Sequence, residues 1–488
     1  METGSLKKFA QSARCRLMEQ VETKLDQALT ADNIEVREKA NAIKELKKQI
    51  ARTSRPAVVE RVAYTWFNRF CALRFMDVNR YTTIGVTTPA QGLTQPEILQ
   101  EAKQGHIDSR LDRFLDRQKI FDYLEGRTPS SDPQQEAYRL LLVAECNYWH
   151  SVMPFLFERI ADYTELLMPC DLLSENSILA SVQKALTAES CKDVEVIGWL
   201  YQFYISEKKD EVFASLKKGK KIAPENIPAA TQLFTPHWIV RYLVENSLGR
   251  LWMLNCPNSN LKERMDYYIP QEKEEPRIDT NGHEKENKEI GVHSCSLVVQ
   301  SPEEIRICDP ACGSGHMLVY AFDLLYAIYE EEGYDPPDIP RLILEKNLYG
   351  IEIDERAGAL AAFALIMKAR EKYRRFFPKP VQPRICVLEN IVFKDNELKT
   401  YMDEIGRDLF TINFQETLHQ FREADNFGSL IRPALTEVAH IKRVLIEKNV
   451  GGDIFLHNIH EKVLKALQQA DFLCPKYHVV VANPPYMG

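Results

Sequence analysis

The feature that most constrains this chain is a short apolar strand ending in an acidic or amide side chain, met four times in its C-terminal half. Glu304-Ile-Arg-Ile-Cys308 runs into Asp309, and Leu348-Tyr-Gly-Ile-Glu-Ile353 carries Glu352 and leads to Asp354. Arg384-Ile-Cys-Val-Leu388 leads to Glu389 and Asn390, and Tyr477-His-Val-Val-Val-Ala482 delivers Asn483. Runs this short, apolar and rich in β-branched residues have the pattern of buried parallel strands. Helical patterns follow the first two, over residues 316–331 and 357–370. Strand and helix in alternation predict an α/β fold, with ligand-binding groups gathered at the carboxyl ends of the strands.

The loop after the first strand, Asp309-Pro-Ala-Cys-Gly-Ser-Gly315, says what kind of ligand to expect. Gly313 and Gly315 let backbone approach a ligand closely, while Asp309 sets a carboxylate at the strand end. The loop is not Gly-x-Gly-x-x-Gly and has no Gly-Lys-Ser/Thr, so nothing in it neutralises a chain of phosphates. An uncharged or cationic nucleoside is favoured over ATP. Glu352, at the end of the second strand, suits a ribose diol, because each carboxylate oxygen accepts one hydroxyl. Glu389 and Asn390 are placed to meet an adenine ring. Any one such residue is more often merely solvent-facing; it is the succession that carries the reading.

Asn483-Pro484-Pro485-Tyr486 follows the last strand. Two prolines fix φ and remove backbone donors, so the loop offers rigid carbonyl acceptors. The Asn483 side-chain oxygen and the Pro484 carbonyl together suit both hydrogens of a planar exocyclic amine, with the Tyr486 ring stacking on the heterocycle. A proline turn after a core strand is the bland alternative.

The N-terminal half reads as helical. Leu17, Val21, Leu25 and Leu29 recur at helical spacing, and residues 62–77 form an aromatic helix apolar around most of its circumference, hence buried. Arg69 and Arg74 lie among those aromatics, and burial is a better account of them than nucleic-acid contact. A basic loop, Lys217-Lys-Gly-Lys-Lys221, comes next; it reads as a linker or a phosphate contact. Thr235 and Pro236 then have the signals of an N-cap and first helical residue. Residues 257–295 read as a polar surface loop or a disordered insertion, and the His283, His293 and Cys295 within it match no compact zinc pattern. Residues 395–476 read as a helical insertion before the final strand. The formal charge of −8 argues against coating nucleic acid by bulk electrostatics, though not against a local basic groove. Eleven scattered cysteines without CxxC pairs, no signal peptide and no membrane-length apolar run suggest a reduced, cytoplasmic protein.

Phe234-Thr-Pro, Asp309-Pro-Ala-Cys-Gly-Ser-Gly, Tyr349-Gly-Ile-Glu-Ile-Asp and Asn483-Pro-Pro-Tyr stand in the order found in the γ-class amino DNA methyltransferases. Residues 231–488 resemble that family in the kind, order and strand context of the four motifs. The wider chain looks like the large adenine-specific methyltransferase of BREX phage-defence systems. The resemblance implies a Rossmann-like sheet over residues 231–488, preceded by an α-helical domain over 1–230. It implies S-adenosylmethionine as cofactor and methylation of adenine N6 in double-stranded DNA, with the target base flipped out. Thr235 would contact the methionine carboxylate. Asp309, Ala311, Cys312, Gly313 and Gly315 would flank the methionine part, Glu352 the ribose and Asn390 the adenine amine. Asn483, Pro484, Pro485 and Tyr486 would hold the target base. The family has aspartate where this chain has Asn390.

Family members continue past the tetrapeptide into further strands and a target-recognition domain. The expectation is therefore a chain weakly active or inactive alone, completed by such a part or by other defence-system proteins. Methylation of cytosine N4 is the nearest rival, and methylation of RNA bases or a protein glutamine is less favoured. A non-catalytic scaffold that binds cofactor or DNA is the reading from another class. The N-terminal half offers no convincing Pro-Asp and Glu-x-Lys pair for a fused nuclease.

Overall fold

In the computed structural model, Ile307, Cys308 and Asp309 pair in parallel with strands on both sides. The structure describes residues 3–30, 40–158, 163–219, 222, 226–231, 235–270, 298–405, 412–448 and 453–483. The chain divides into two compact units, Met1–Ile222 and Ala223–Gly488.

The described part of the first unit is built of helices. In α1 (Thr3–Thr30), Leu6, Ala10, Ala13, Leu17, Val21 and Leu25 make one buried stripe. Helix α2 (Arg55–Val78) is capped by the Ser54 hydroxyl and buries Trp66, Phe67 and Phe70 completely or nearly so. Arg69 is fully buried, with its guanidinium 5.1 Å from the Trp66 ring and one NH2 donating to the Glu158 carbonyl. Arg74 donates to the Leu186 carbonyl and the Thr88 hydroxyl. Both arginines are therefore structural, as the density of neighbouring aromatics predicts.

The second unit is α/β. Strands β1 (Ile307–Asp309), β2 (Leu348–Glu352), β3 (Arg384–Val387) and β4 (Val479–Val480) form a parallel sheet in the order β3-β2-β1-β4. Helix α3 (His316–Glu331) connects β1 to β2, and α4 (Glu355–Lys372) connects β2 to β3. Two strands depart from the sequence expectation. β1 starts late because Pro302–Glu304 close a 3-10 turn, and it ends on Asp309, which pairs with Gly350 instead of opening the loop. β4 is an edge strand among the described residues, so Val480 stands 61% exposed where a strand buried on both faces was expected.

The strand order explains the 395–476 insertion. The chain must pass back from β3 over β2 and β1 to reach β4, and a right-handed crossover then lies on the face opposite α3 and α4. Four longer helices fill that face: α5 (Asp395–Ile405), α6 (Ile412–Gln420), α7 (Val438–Glu447) and α8 (Ile454–Leu473). Their Tyr401, Phe414, Leu418, Leu445, Val463 and Leu467 share one apolar cluster with Cys308, Tyr349, Ile351 and Cys386 of the sheet. The insertion is one of the sheet's two covering layers.

Candidate active site

Three carboxyl ends of the sheet bear the site, and backbone amides fix its carboxylates. Asp309 is 2% exposed and its Oδ1 accepts the Ala311 amide at 3.1 Å. Glu352 is 7% exposed; its Oε2 accepts the Gly313 amide at 2.6 Å and its Oε1 accepts those of Ile353 and Asp354. The Cys312 amide donates to the Ile351 carbonyl at 3.0 Å. The loop after β1 is thus tied to the end of β2. Gly313 and Gly315 take φ of +54° and +90°. A Cβ on Gly315 would meet Ala361 of α4 at 3.0 Å, so both the conformation and the close packing require glycine there.

Burial raises the pKa of both carboxyls to about 7. For Asp309 the nearby Glu352 charge adds to burial; for Glu352 the added charge is that of Asp354. Burial also pushes the Cys312 thiol well above its ordinary range, so it is an inert wall rather than a nucleophile. Asp354 caps α4 through the Arg356 amide.

The Thr235 side of the site corrects a sequence expectation. Pro236, not Thr235, takes the cap position, and the helix over His237–Val244 has no side-chain cap. The Thr235 hydroxyl instead accepts the Asn483 side-chain amide at 3.0 Å, across 248 positions of chain. Asn483 follows β4, and Asp309 ends β1, its neighbour. The order of strands reverses between these two, where open parallel sheets hold their ligands. Pro484, Pro485 and Tyr486 lie outside the described residues.

Asn390 stands just after β3. Its side-chain oxygen accepts the Asp425 amide at 3.0 Å, tying the end of β3 to the insertion, while the Glu389 carboxylate pairs with Lys465. One polar group that the sequence reading passed over is Glu245, fully buried in a π-helical turn, Glu245–Gly249. It accepts from the Tyr320 hydroxyl at 2.6 Å, Arg241 at 3.1 Å and the Tyr267 amide. Arg241 also reaches Asp266 at 2.6 Å. This network fastens the helix after Thr235 to α3. It also ties down Asp266 and Tyr267, inside the stretch expected to be a surface loop or disordered insertion; His283, His293 and Cys295 lie outside the described residues. No group of three or more metal-ligating side chains occurs among the described residues, and no helix there is long and apolar enough to cross a membrane.

Comparison with known proteins gives the class of protein that this α/β chain resembles, the DNA-modification methylases. Residues 285–382 match the family described as MmeI, DNA-methyltransferase domain, and residues 346–488 match the Eco57I restriction-modification methylase family. Over 457 residues the chain is 39% identical to the adenine-specific methyltransferase BrxX of Escherichia coli O9:H4 (strain HS), covering 88% of this chain and 36% of that protein. It is 33% identical over 461 residues to the adenine-specific methyltransferase PglX of Lacticaseibacillus casei (strain Zhang), again covering 88% and 36%. A putative type II restriction enzyme and methyltransferase of Methanocaldococcus jannaschii is 28% identical over 201 residues, 37% of this chain and 14% of that protein. The chain is therefore a homologue of the adenine-specific methyltransferases, and it spans 36% of the length of the two curated relatives that match most of it.

Proposed function

We propose that this chain carries the S-adenosylmethionine site and the amine-holding loop of a DNA methyltransferase acting on adenine N6, on a Rossmann-like sheet. A restriction–modification setting is supported by the matched family description, and a phage-defence setting by the resemblance of the wider chain. The observation that carries the reading is the Thr235–Asn483 hydrogen bond, which brings the first and last motifs of the resemblance into contact at the end of the strand next to the one that ends in Asp309.

The residues present fit a sulfonium cofactor. Two buried carboxylates with raised pKa favour a cationic neighbour, which would restore their ionised forms, and the loop over Asp309–Gly315 brings no competing lysine or arginine. When bound, S-adenosylmethionine supplies an electrophilic methyl group. Asp309, Ala311, Cys312, Gly313 and Gly315 would flank its methionine part, Glu352 its ribose and Asn390 its adenine edge. Thr235 accepts a hydrogen bond from Asn483 and keeps its own O–H to donate, so the same hydroxyl would serve the methionine carboxylate. The donor side of the Asn483 amide is turned to Thr235, which leaves its oxygen to accept from the target amine of a flipped adenine. The Pro484 carbonyl would take the second hydrogen, Pro485 would keep the loop rigid and Tyr486 would stack on the base. These groups act by orienting the amine, so positioning is the main contribution of this chain.

Calorimetric titration of the 488-residue chain with S-adenosylmethionine is the test, followed by a methyl-transfer assay on duplex DNA. The expected result is micromolar binding that Glu352→Ala removes, with whatever label this chain alone transfers, weak as that is expected to be, on adenine N6. A folded chain that binds no cofactor would overturn the reading, and label on cytosine N4 would overturn the choice of base.

A further inference from the structure

We infer that the helical insertion carries a second contact for DNA, a basic groove that grips backbone phosphates away from the flipped base. The inference rests on the function proposed above and extends it to a surface that no motif marks. Two cavities of about 370 and 380 Å³ open side by side on the insertion and share His419. Lys399 lines one, and Arg422 and Arg432 line the other. All three cations are exposed and make no ion pair among the described residues. Asp403 and Glu423 are the acidic residues that line the cavities, so cations outnumber them on a chain whose formal charge is −8.

Apolar groups interleave with these cations. Phe427 is 52% exposed and Leu430 81%, both on the cavity with the two arginines. Solvated aliphatic and aromatic side chains flanked by arginine suit a nucleic acid, whose phosphates take the charges and whose sugars and bases take the apolar contact. The groove is also held rigidly. Gln420 donates to the Arg432 carbonyl and accepts the Ala434 amide, and Thr417 accepts the Leu435 amide. The Asn390–Asp425 and Ile391–Phe421 hydrogen bonds then fix this segment to the residues after β3.

Its location decides the occupant. β3 and β4 are parallel and end on the same edge of the sheet, so the segment after β3 and Asn483 after β4 share that edge. Three strand spacings of ~4.8 Å separate them, about 14 Å, or roughly four nucleotide steps of ~3.4 Å. A duplex that offers a base to Asn483 passes its flanking phosphates along this edge. A free acidic peptide has no such reason to lie there.

The test is fluorescence anisotropy of a labelled 30-base-pair duplex with the full chain at several salt concentrations. Lys399→Ala/Arg422→Ala/Arg432→Ala is compared with wild type and with Arg422→Lys/Arg432→Lys. The substituted side chains are exposed, and cofactor titration checks that the sheet is intact. Each lost phosphate contact lowers the slope of log affinity against log salt by ~0.9, so the triple variant should lose roughly two to three from it, equally on unrelated sequences. The lysine variant should keep most of the slope. Unchanged affinity and slope in the triple variant would overturn the groove and leave the methyltransferase reading standing. Cofactor binding without any DNA binding by wild type would overturn the groove as well. Binding of polyglutamate in preference to DNA would reassign the surface to an acidic peptide.

Discussion

Glu352, the last residue of β2, receives the Gly313 amide on its Oε2 at 2.6 Å, so the end of the second strand and the loop after the first are one unit. A carboxylate buried to this degree is charged only at a cost, and two neighbours of this kind make the site sensitive to protons and cations.

Stability should carry the mark of that burial. Asp309 and Glu352 have folded values of about 7, against roughly 3.9 and 4.3 in an unfolded chain. Between those limits the folded protein holds protons that the unfolded chain releases. Their contribution therefore favours the folded state at acid pH and is lost as pH climbs towards and through about 7. Thermal melts at pH 5.5 and 8 should show wild type losing more stability on going to pH 8 than Asp309→Asn/Glu352→Gln does. Parallel profiles for the two proteins would contradict the burial.

Cofactor affinity should run the opposite way with pH. A sulfonium needs ionised carboxylates, so binding at pH 6 must first expel protons. One carboxyl with a pKa of about 7 makes affinity about tenfold weaker at pH 6 than at pH 8. Calorimetry in buffers of different ionisation enthalpy reads the released proton directly. Affinity independent of pH would mean that neither carboxylate faces the positive charge.

Thr235→Val keeps the shape of the side chain and removes its hydroxyl. Asn483 then loses the acceptor at 3.0 Å, and the proposed carboxylate contact goes with it. Methyl transfer and S-adenosylmethionine affinity should both fall, the latter by about 1.5–3 kcal/mol for a hydrogen bond to a charged group. Thr235→Ser should recover most of each. A loss of transfer with unchanged affinity would leave Thr235 as a holder of Asn483 alone.

Gly315→Ala combines a left-handed backbone with a Cβ 3.0 Å from Ala361. A cost of about 1–3 kcal/mol is expected, read as a lower melting temperature. Because the loop also carries the Gly313 amide, cofactor affinity should fall in the same variant. Normal stability would mean that α4 yields to the added methyl.

The parts most legible in the sequence were those set by local pattern. The helices over His316–Glu331 and Glu355–Lys372, strand β2 and the buried aromatic helix all follow from periodicity and residue type. What escaped depended on distant partners. Nothing local shows that Asn483, rather than its own helix, claims the Thr235 hydroxyl. Nor does anything local show that the Asp425 amide, 35 positions on, donates to the Asn390 side-chain oxygen. Glu245 looks like a surface residue of a helix, yet Tyr320, Arg241 and Tyr267 enclose it. The insertion gave no sign of its purpose because that follows from the strand order, which only the folded sheet displays.

The tip of β3 is held by the insertion at two places. Gln469 of α8 brackets Glu389, accepting its amide and donating to its carbonyl, and Asp425 meets Asn390 one residue on. That tip is a clamped beam end rather than a free loop, its backbone held at Glu389 and its side chain tied at Asn390. Displacing that tip means moving a layer of helices, so the end of β3 shifts only when the apolar face beneath the insertion repacks.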